Sequence, residues 1–138
     1  MSKRKDVFNA VVKALQDTGL FATVYKNHIP VWTQVTNFPS VAITWEQEKR
    51  EVTGTGASCR DRIYGELTIY LYARQPAKNS YEDVLSDLID AVDLSIKSST
   101  ELQSLVNVAE IDSVRQDGGI LHPHAMALVS VNVDYYAV

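Results

Sequence analysis

The most regular stretch of the chain is Arg62 to Arg74, RIYGELTIYLYAR, which alternates with a period of two. Ile63, Leu67, Ile69, Leu71 and Ala73 fall on one side, with Gly65 among them, and Arg62, Tyr64, Glu66, Thr68, Tyr70, Tyr72 and Arg74 fall on the other. The alternation predicts a long, half-buried β-strand with one aliphatic face and one polar, tyrosine-bearing face. His124 to Val138 repeats it, with Ala127, Val129, Val131, Val133 and Tyr135 set against Leu128, Ser130, Asn132, Asp134 and Tyr136. Phe38 to Trp45 is a further strand, with Val41, Ile43 and Trp45 on one side. Its Pro39 sits near the start, where a missing N–H is tolerated.

Two segments carry the helical period instead. Val7, Phe8, Val11, Val12 and Leu15 recur at helical spacing from a cap at Ser2 to about Asp17, and Gly19 suits the C-terminal stop. Tyr81, Val84, Leu85, Leu88, Ile89, Val92 and Ile96 form a wide apolar stripe, preceded by a capping residue, Ser80, with Asp83 close to a capping box. The aliphatic face of the Ile63–Ala73 strand is the natural surface to receive this stripe. Thr100 and Gln103 predict a cap and a short helical turn through Leu105. Leu20 to Tyr25 and Val106 to Arg115 are weaker strands, and Val31 to Val35 is strand or extended loop. The order α–β–β–β–α–β–β predicts one α+β domain over residues 1–138, a mixed, mainly antiparallel sheet with two main helices packed on one face.

The connection Glu46 to Asp61, EQEKREVTGTGASCRD, mixes both charges with Gly54 and Gly56. Long connections between strands are usually functional. This one is expected to be a charged loop at the tip of a hairpin that projects from the body.

Composition narrows the class. With 138 residues, 46% of them hydrophobic and 22% charged, the chain fits an ordinary globular domain. A formal net charge of −4 gives no basic balance for nucleic acid, so no direct nucleic-acid recognition is expected. The one cysteine, Cys59, can make no intrachain disulfide, which fits a reducing compartment. The basic residues Lys3, Arg4 and Lys5 are followed by no continuous apolar run, since Asp6, Asn9 and Lys13 interrupt it. No stretch approaches the ~20 apolar residues of a membrane helix, so no membrane role is expected.

Candidate chemistry is thin. Gly54-Thr55-Gly56 lacks the following helix whose N-terminus would hold a phosphate. Cys59 has Arg60 and Arg62 nearby to favour a thiolate, but no histidine is near in sequence to act as a base. His122 and His124 flank Pro123 with no further ligand at a recognised zinc spacing, so neither metal nor cofactor is expected. Glu82, Asp83, Asp87, Asp90 and Asp93 crowd the exposed side of the second helix, and read as a solvated acidic face or as one half of a subunit contact with Lys3, Arg4 and Lys5. Tyr64, Tyr70, Tyr72, Tyr135 and Tyr136 cluster on two strands, where tyrosine serves either an interface or a second small core. Trp32 is a further candidate for interface burial.

The helix ending in DTGLF, FPSVAITWEQE before a charged loop, RIYGELTIYLYAR, YEDVLSDLIDAVDLSI and AMALVSVNVDYYAV together make the chain resemble the tail terminator proteins of long-tailed phages, the minor tail protein U-like kind. The resemblance spans most of the sequence. It implies a non-enzymatic subunit of a ring, typically a hexamer, at the head-proximal end of the tail in the virion, assembled after synthesis in the host cytoplasm. Such a ring docks on the last ring of the tail tube, stops polymerisation and offers a surface to head-completion or neck proteins, with DNA passing through it. On this reading Glu48, Lys49, Arg50, Glu51, Arg60 and Arg62 are expected to contact the tube or lumen. Lys3, Arg4, Lys5, Trp32, Tyr70, Tyr72, Asp83, Asp87 and Asp90 are expected at the subunit interface. Competing readings are another neck or head–tail joining protein, a small metal-dependent hydrolase using His122, His124 and the helix acids, and a small-ligand-binding domain with a tyrosine-lined pocket.

Overall fold

The computed structural model describes residues 3–31, 34–53, 60–74, 81–116 and 124–137. Three helices, α1 (Lys3–Asp17), α2 (Tyr81–Ser98) and α3 (Thr100–Leu105), accompany five strands, β1 (Thr23–Lys26), β2 (Ser40–Thr53), β3 (Arg60–Arg74), β4 (Val108–Gln116) and β5 (His124–Tyr136). The strands form one sheet in the order β1-β2-β3-β5-β4. β1 runs parallel to β2, and every other neighbouring pair is antiparallel. The α+β architecture and the element order follow the hydropathy pattern.

All three helices lie on one face. Val7, Val11 and Leu15 of α1 and Leu85, Val92 and Ile96 of α2 are buried against Ile43, Leu67, Ile69, Leu71, Val129 and Val131 of the sheet. Each such side chain contributes about 1.5–3 kcal/mol when fully buried, before the entropy of ordering it is subtracted. α1 stops at Gly19, which takes the left-handed φ of 69°, while Thr18 Oγ1 donates to the Leu15 carbonyl at 2.7 Å. α3 is capped by Ser99 rather than Thr100: the Ser99 hydroxyl accepts from Leu102 N at 3.2 Å. The predicted caps Ser2 and Ser80 lie outside the described residues.

The connection between β2 and β3 is the main correction. Glu46 to Thr53 is not loop but the second half of β2, and β3 begins at Arg60. Register continues through Lys49↔Tyr64, Arg50↔Ile63 and Glu51↔Arg62 to Thr53↔Arg60. Two things hide this strand in the sequence. A register shift between Trp45 and Gln47 inserts one residue, Glu46, and reverses the phase of the alternation. Beyond it the side chains alternate in charge and partner rather than in hydropathy. The tip, residues 54–59, lies outside the described residues.

The face away from the helices is only partly covered. The chain between β1 and β2 crosses it near β1, where Val35, Ala42 and Tyr72 form a second small core with Tyr25, Phe38, Tyr70 and Met126 around it. The Tyr72 hydroxyl donates to the Pro30 carbonyl at 2.7 Å. Val31 and Val35 therefore belong to this crossing and not to a strand; Trp32 lies outside the described residues. The Phe38–Pro39 peptide is cis and leads directly into β2.

Candidate functional site

Only the last two pairs of β2 with β3, Val52↔Asp61 and Thr53↔Arg60, lie past the end of β5. Tyr136 sits opposite Arg62, and Ala137 N donates to the Asp61 carbonyl at 2.9 Å; beyond that point the β2–β3 ladder is two strands wide. Val52, at its end, is 63% exposed. Strand alternation splits the predicted contact residues between two faces. Glu48, Arg50 and Asp61 lie on the helix side, and Lys49, Glu51 and Arg62 on the open side.

On the helix side Glu48 is the hub. Its carboxylate receives Arg4 of α1 at 2.5 Å and Arg50 at 2.9 Å, and Arg50 also reaches Asp61 at 3.7 Å. Burial, the largest single influence, pushes the Glu48 carboxyl up, but the hydrogen bonds and charges of Arg4 and Arg50 outweigh it and leave it below its ordinary value. The network braces the hairpin root against the first helix. Beneath it the Trp45 ring crosses Gly65 and meets Tyr135 edge to face, with centroids 6.3 Å apart. A Cβ at Gly65 would stand 2.6 Å from Trp45 Cζ2, so this crossing requires glycine.

On the open side Arg62 grips Asp134 of β5 with both nitrogens, Nε to Oδ1 at 2.9 Å and Nη2 to Oδ2 at 2.5 Å. Hydrogen bonding from Arg62 holds the Asp134 carboxyl below the usual range, and the pairing raises the guanidinium pKa in turn. The guanidinium also lies 5.2 Å from the Tyr64 ring centroid and 5.8 Å from that of Tyr136. A groove of about 510 Å³ runs from here across the sheet, with Lys49, Glu66, Glu110 and Asn132 in its walls. It continues into a second, of about 450 Å³, bounded by Glu46, Tyr70 and Arg115. Glu46 accepts from Thr44 Oγ1 at 2.9 Å and from the Tyr70 hydroxyl at 3.4 Å. The result is a broad, charged, solvent-facing surface suited to a macromolecular partner.

The remaining predicted residues separate cleanly. Tyr72 is 1% exposed, and its burial pushes the phenol up to about 12. It is a packing residue of the second core, so it is withdrawn from the contact surface. Tyr135 likewise belongs to the main core. Arg4 is spent within the chain on Glu48, while Lys3 lies 6.0 Å from the Tyr135 ring and Lys5 is exposed. Asp83, Asp87 and Asp90 are exposed on α2, and Asp93 pairs with Lys97 at 3.0 Å. Arg60 opens β3. Glu46, Glu66, Glu110, Arg115 and Asp134 were not singled out in the sequence. Their place on the polar side of an alternating strand was the available signal.

A family model described as bacteriophage tail tube terminator protein matches residues 1–138. The chain belongs to that family. Tail tube terminators are structural components of the virion tail and not enzymes, and their role brings them against tail tube proteins. No curated protein matches the chain. The hydrolase reading is thereby set aside. Among the described residues no group of His, Cys, Asp and Glu gathers to hold a metal, and no helix is long and apolar enough to cross a membrane. His122 lies outside the described residues, and His124 opens β5.

Proposed function

We propose that this tail terminator acts as a ring, with six copies seated on the last ring of the finished tube. The ring ends polymerisation and presents its other side to head-completion or neck proteins at the head-proximal end of the tail. The observation that carries the reading is the family match over the whole chain. The protruding end of the β2–β3 ladder supports one refinement: this hairpin, with Lys49, Glu51, Arg60 and Arg62 on or near it, contacts the tube or the ring lumen. Glu48 and Arg50 serve it from the helix side by holding its angle to α1. A second refinement places exposed Lys5, with Lys3, against the acidic face of α2 in the next subunit, near Asp83, Asp87 and Asp90. Exposed pairs contribute ~0–1 kcal/mol each, so this contact adds to a larger interface and does not make one.

The test is to replace residues 53–60 by an Asn-Gly turn, which suits a two-residue hairpin, and to measure tail lengths by electron microscopy. A folded variant should leave tails of irregular, extended length. Tails of normal, uniform length would rule out the hairpin as the recognition device.

A further inference from the structure

The sheet is left with two bare edges. β4 is the last strand in the order, and among the described residues nothing pairs with its outer side. At the other edge β1 covers β2 only from Ser40 to Ile43, so among the described residues β2 from Thr44 onward also has an unpaired side. A bare edge presents a row of unpaired N–H and C=O groups and is a ready template for another strand. Both edges here are long: β4 has nine residues, and the free part of β2 extends from Thr44 to Thr53.

The two edges complement each other in direction and in charge. β2 runs opposite to β3, β3 opposite to β5 and β5 opposite to β4, so a second copy's β2 laid beside β4, with its open face turned the same way, meets it antiparallel. Each strand also carries one inserted residue, at Trp45/Gln47 in β2 and at Ile111/Ser113 in β4. Counted along the common ladder, Lys49 to Thr44 spans Tyr64 to Thr68 on β3, and Glu110 to Arg115 spans Asn132 to Leu128 on β5. The two spans are equal. A single register therefore sets Glu110 opposite Lys49 and Arg115 opposite Thr44, whose hydroxyl is bonded to the Glu46 carboxylate. Glu110 thus faces a lysine and Arg115 comes beside the Glu46 carboxylate in the same register. The next position, Gln116, comes level with Ile43, whose edge is already taken by Lys26 at the end of β1, so the ladder between copies runs from Glu110 to Arg115 and stops there.

We infer that β4 of one subunit pairs with the free half of β2 of the next, in this register, so that the sheet continues from copy to copy. The inference rests on the ring reading above and supplies its interface. Two different edges of one chain make a heterologous, head-to-tail contact, the type that closes into rings. α1 packs on β1 and α2 on β4, so the same seam brings the acidic helix of one copy beside the first helix of the next.

Charged, bulged edges are also how a sheet keeps other chains away, and disulfide trapping on tails purified from phage separates the two roles. In a Cys59→Ser background, Lys49→Cys with Glu110→Cys, and separately Thr44→Cys with Arg115→Cys, place thiols on the paired positions. Within one chain β2 and β4 stand three strand spacings apart, about 14 Å, too far for a disulfide. Oxidation should therefore give a non-reducing ladder of this chain's multimers with both pairs. Tails that carry the protein but yield only monomer, or a conjugate with the tube protein, overturn the inference and leave the terminator reading standing. Tails that lack the protein overturn both. Reversal of Lys49 to Glu should weaken assembly by up to about fivefold, the upper range for an exposed pair, and Glu110→Lys should restore it. Unaltered assembly in the single reversal counts against the register.

Discussion

Gly65→Ala is the sharpest probe of how the hairpin is held. The added methyl would sit 2.6 and 2.8 Å from two ring carbons of Trp45 and 3.0 Å from Val133 Cγ2. Val133 is 1% exposed in the main core and cannot yield, so the indole must move. The indole is a rigid plate that packs on Tyr135, and its rotation disturbs the base of the protruding ladder. Overpacking of this kind costs about 1–3 kcal/mol. Glycine replacement recovers about 0.4–1 kcal/mol by restricting the unfolded chain. The net loss is up to about 2.6 kcal/mol and centres on ~1.3 kcal/mol, a drop in melting temperature of up to roughly 10 °C for a chain of this size. Urea unfolding followed by circular dichroism measures the loss. In a Trp32→Phe background, where Trp45 is the remaining tryptophan, emission reports the displaced ring directly. Unchanged stability together with an unmoved emission spectrum would refute the contact, and with it the reason for glycine in the middle of the longest strand.

Three further outcomes follow from the geometry. Asp134→Asn strips Arg62 of its bidentate partner in a half-buried site and should cost about 1–2 kcal/mol in urea titrations. Because the folded-state pKa of Asp134 is lowered, its contribution is present above the ordinary carboxylate range and is lost as pH falls through the lowered value. The variant should therefore flatten the acid limb of the stability profile. Tyr72→Phe leaves the Pro30 carbonyl without its donor, a loss of about 1–3 kcal/mol if no water replaces it. With its pKa pushed up to about 12, Tyr72 stabilises the fold fully below about pH 10, the ordinary phenol value. That contribution fades as pH rises toward 12, so the phenylalanine variant should show a shallower alkaline limb. Arg4→Ala releases the brace on Glu48 and should lower stability by less than about 1 kcal/mol. Hydrogen exchange should nonetheless quicken in β2 from Gln47 to Thr53; unchanged protection there would show that α1 does not hold the hairpin.

Hydropathy made much of this molecule readable. The stripes of α1 and α2 and the alternation of β3 and β5 each have one buried face, and burial leaves a strong periodic mark. β2 beyond Trp45 was hidden because its bulge shifts the phase and because both of its faces are polar there. The fate of the tyrosines was half legible. Their clustering on strands marked a face of the sheet, but only tertiary structure separates Tyr72, sealed under the β1–β2 crossing, from half-exposed Tyr70 two residues closer to Glu46 along the strand pair. For Asp134 and Glu110 the polar side of an alternating strand was the whole local signal, since the partner that singles out Asp134, Arg62, stands on another strand.

The central claim is that this protein caps a finished tube, and a polymerisation assay tests it most directly. Purified tail tube protein is allowed to assemble with and without the chain, and the products are imaged by electron microscopy. The account predicts tubes that stop growing, with a ring of added density at one end only. Tubes of unaltered length whose ends carry no extra density would contradict it.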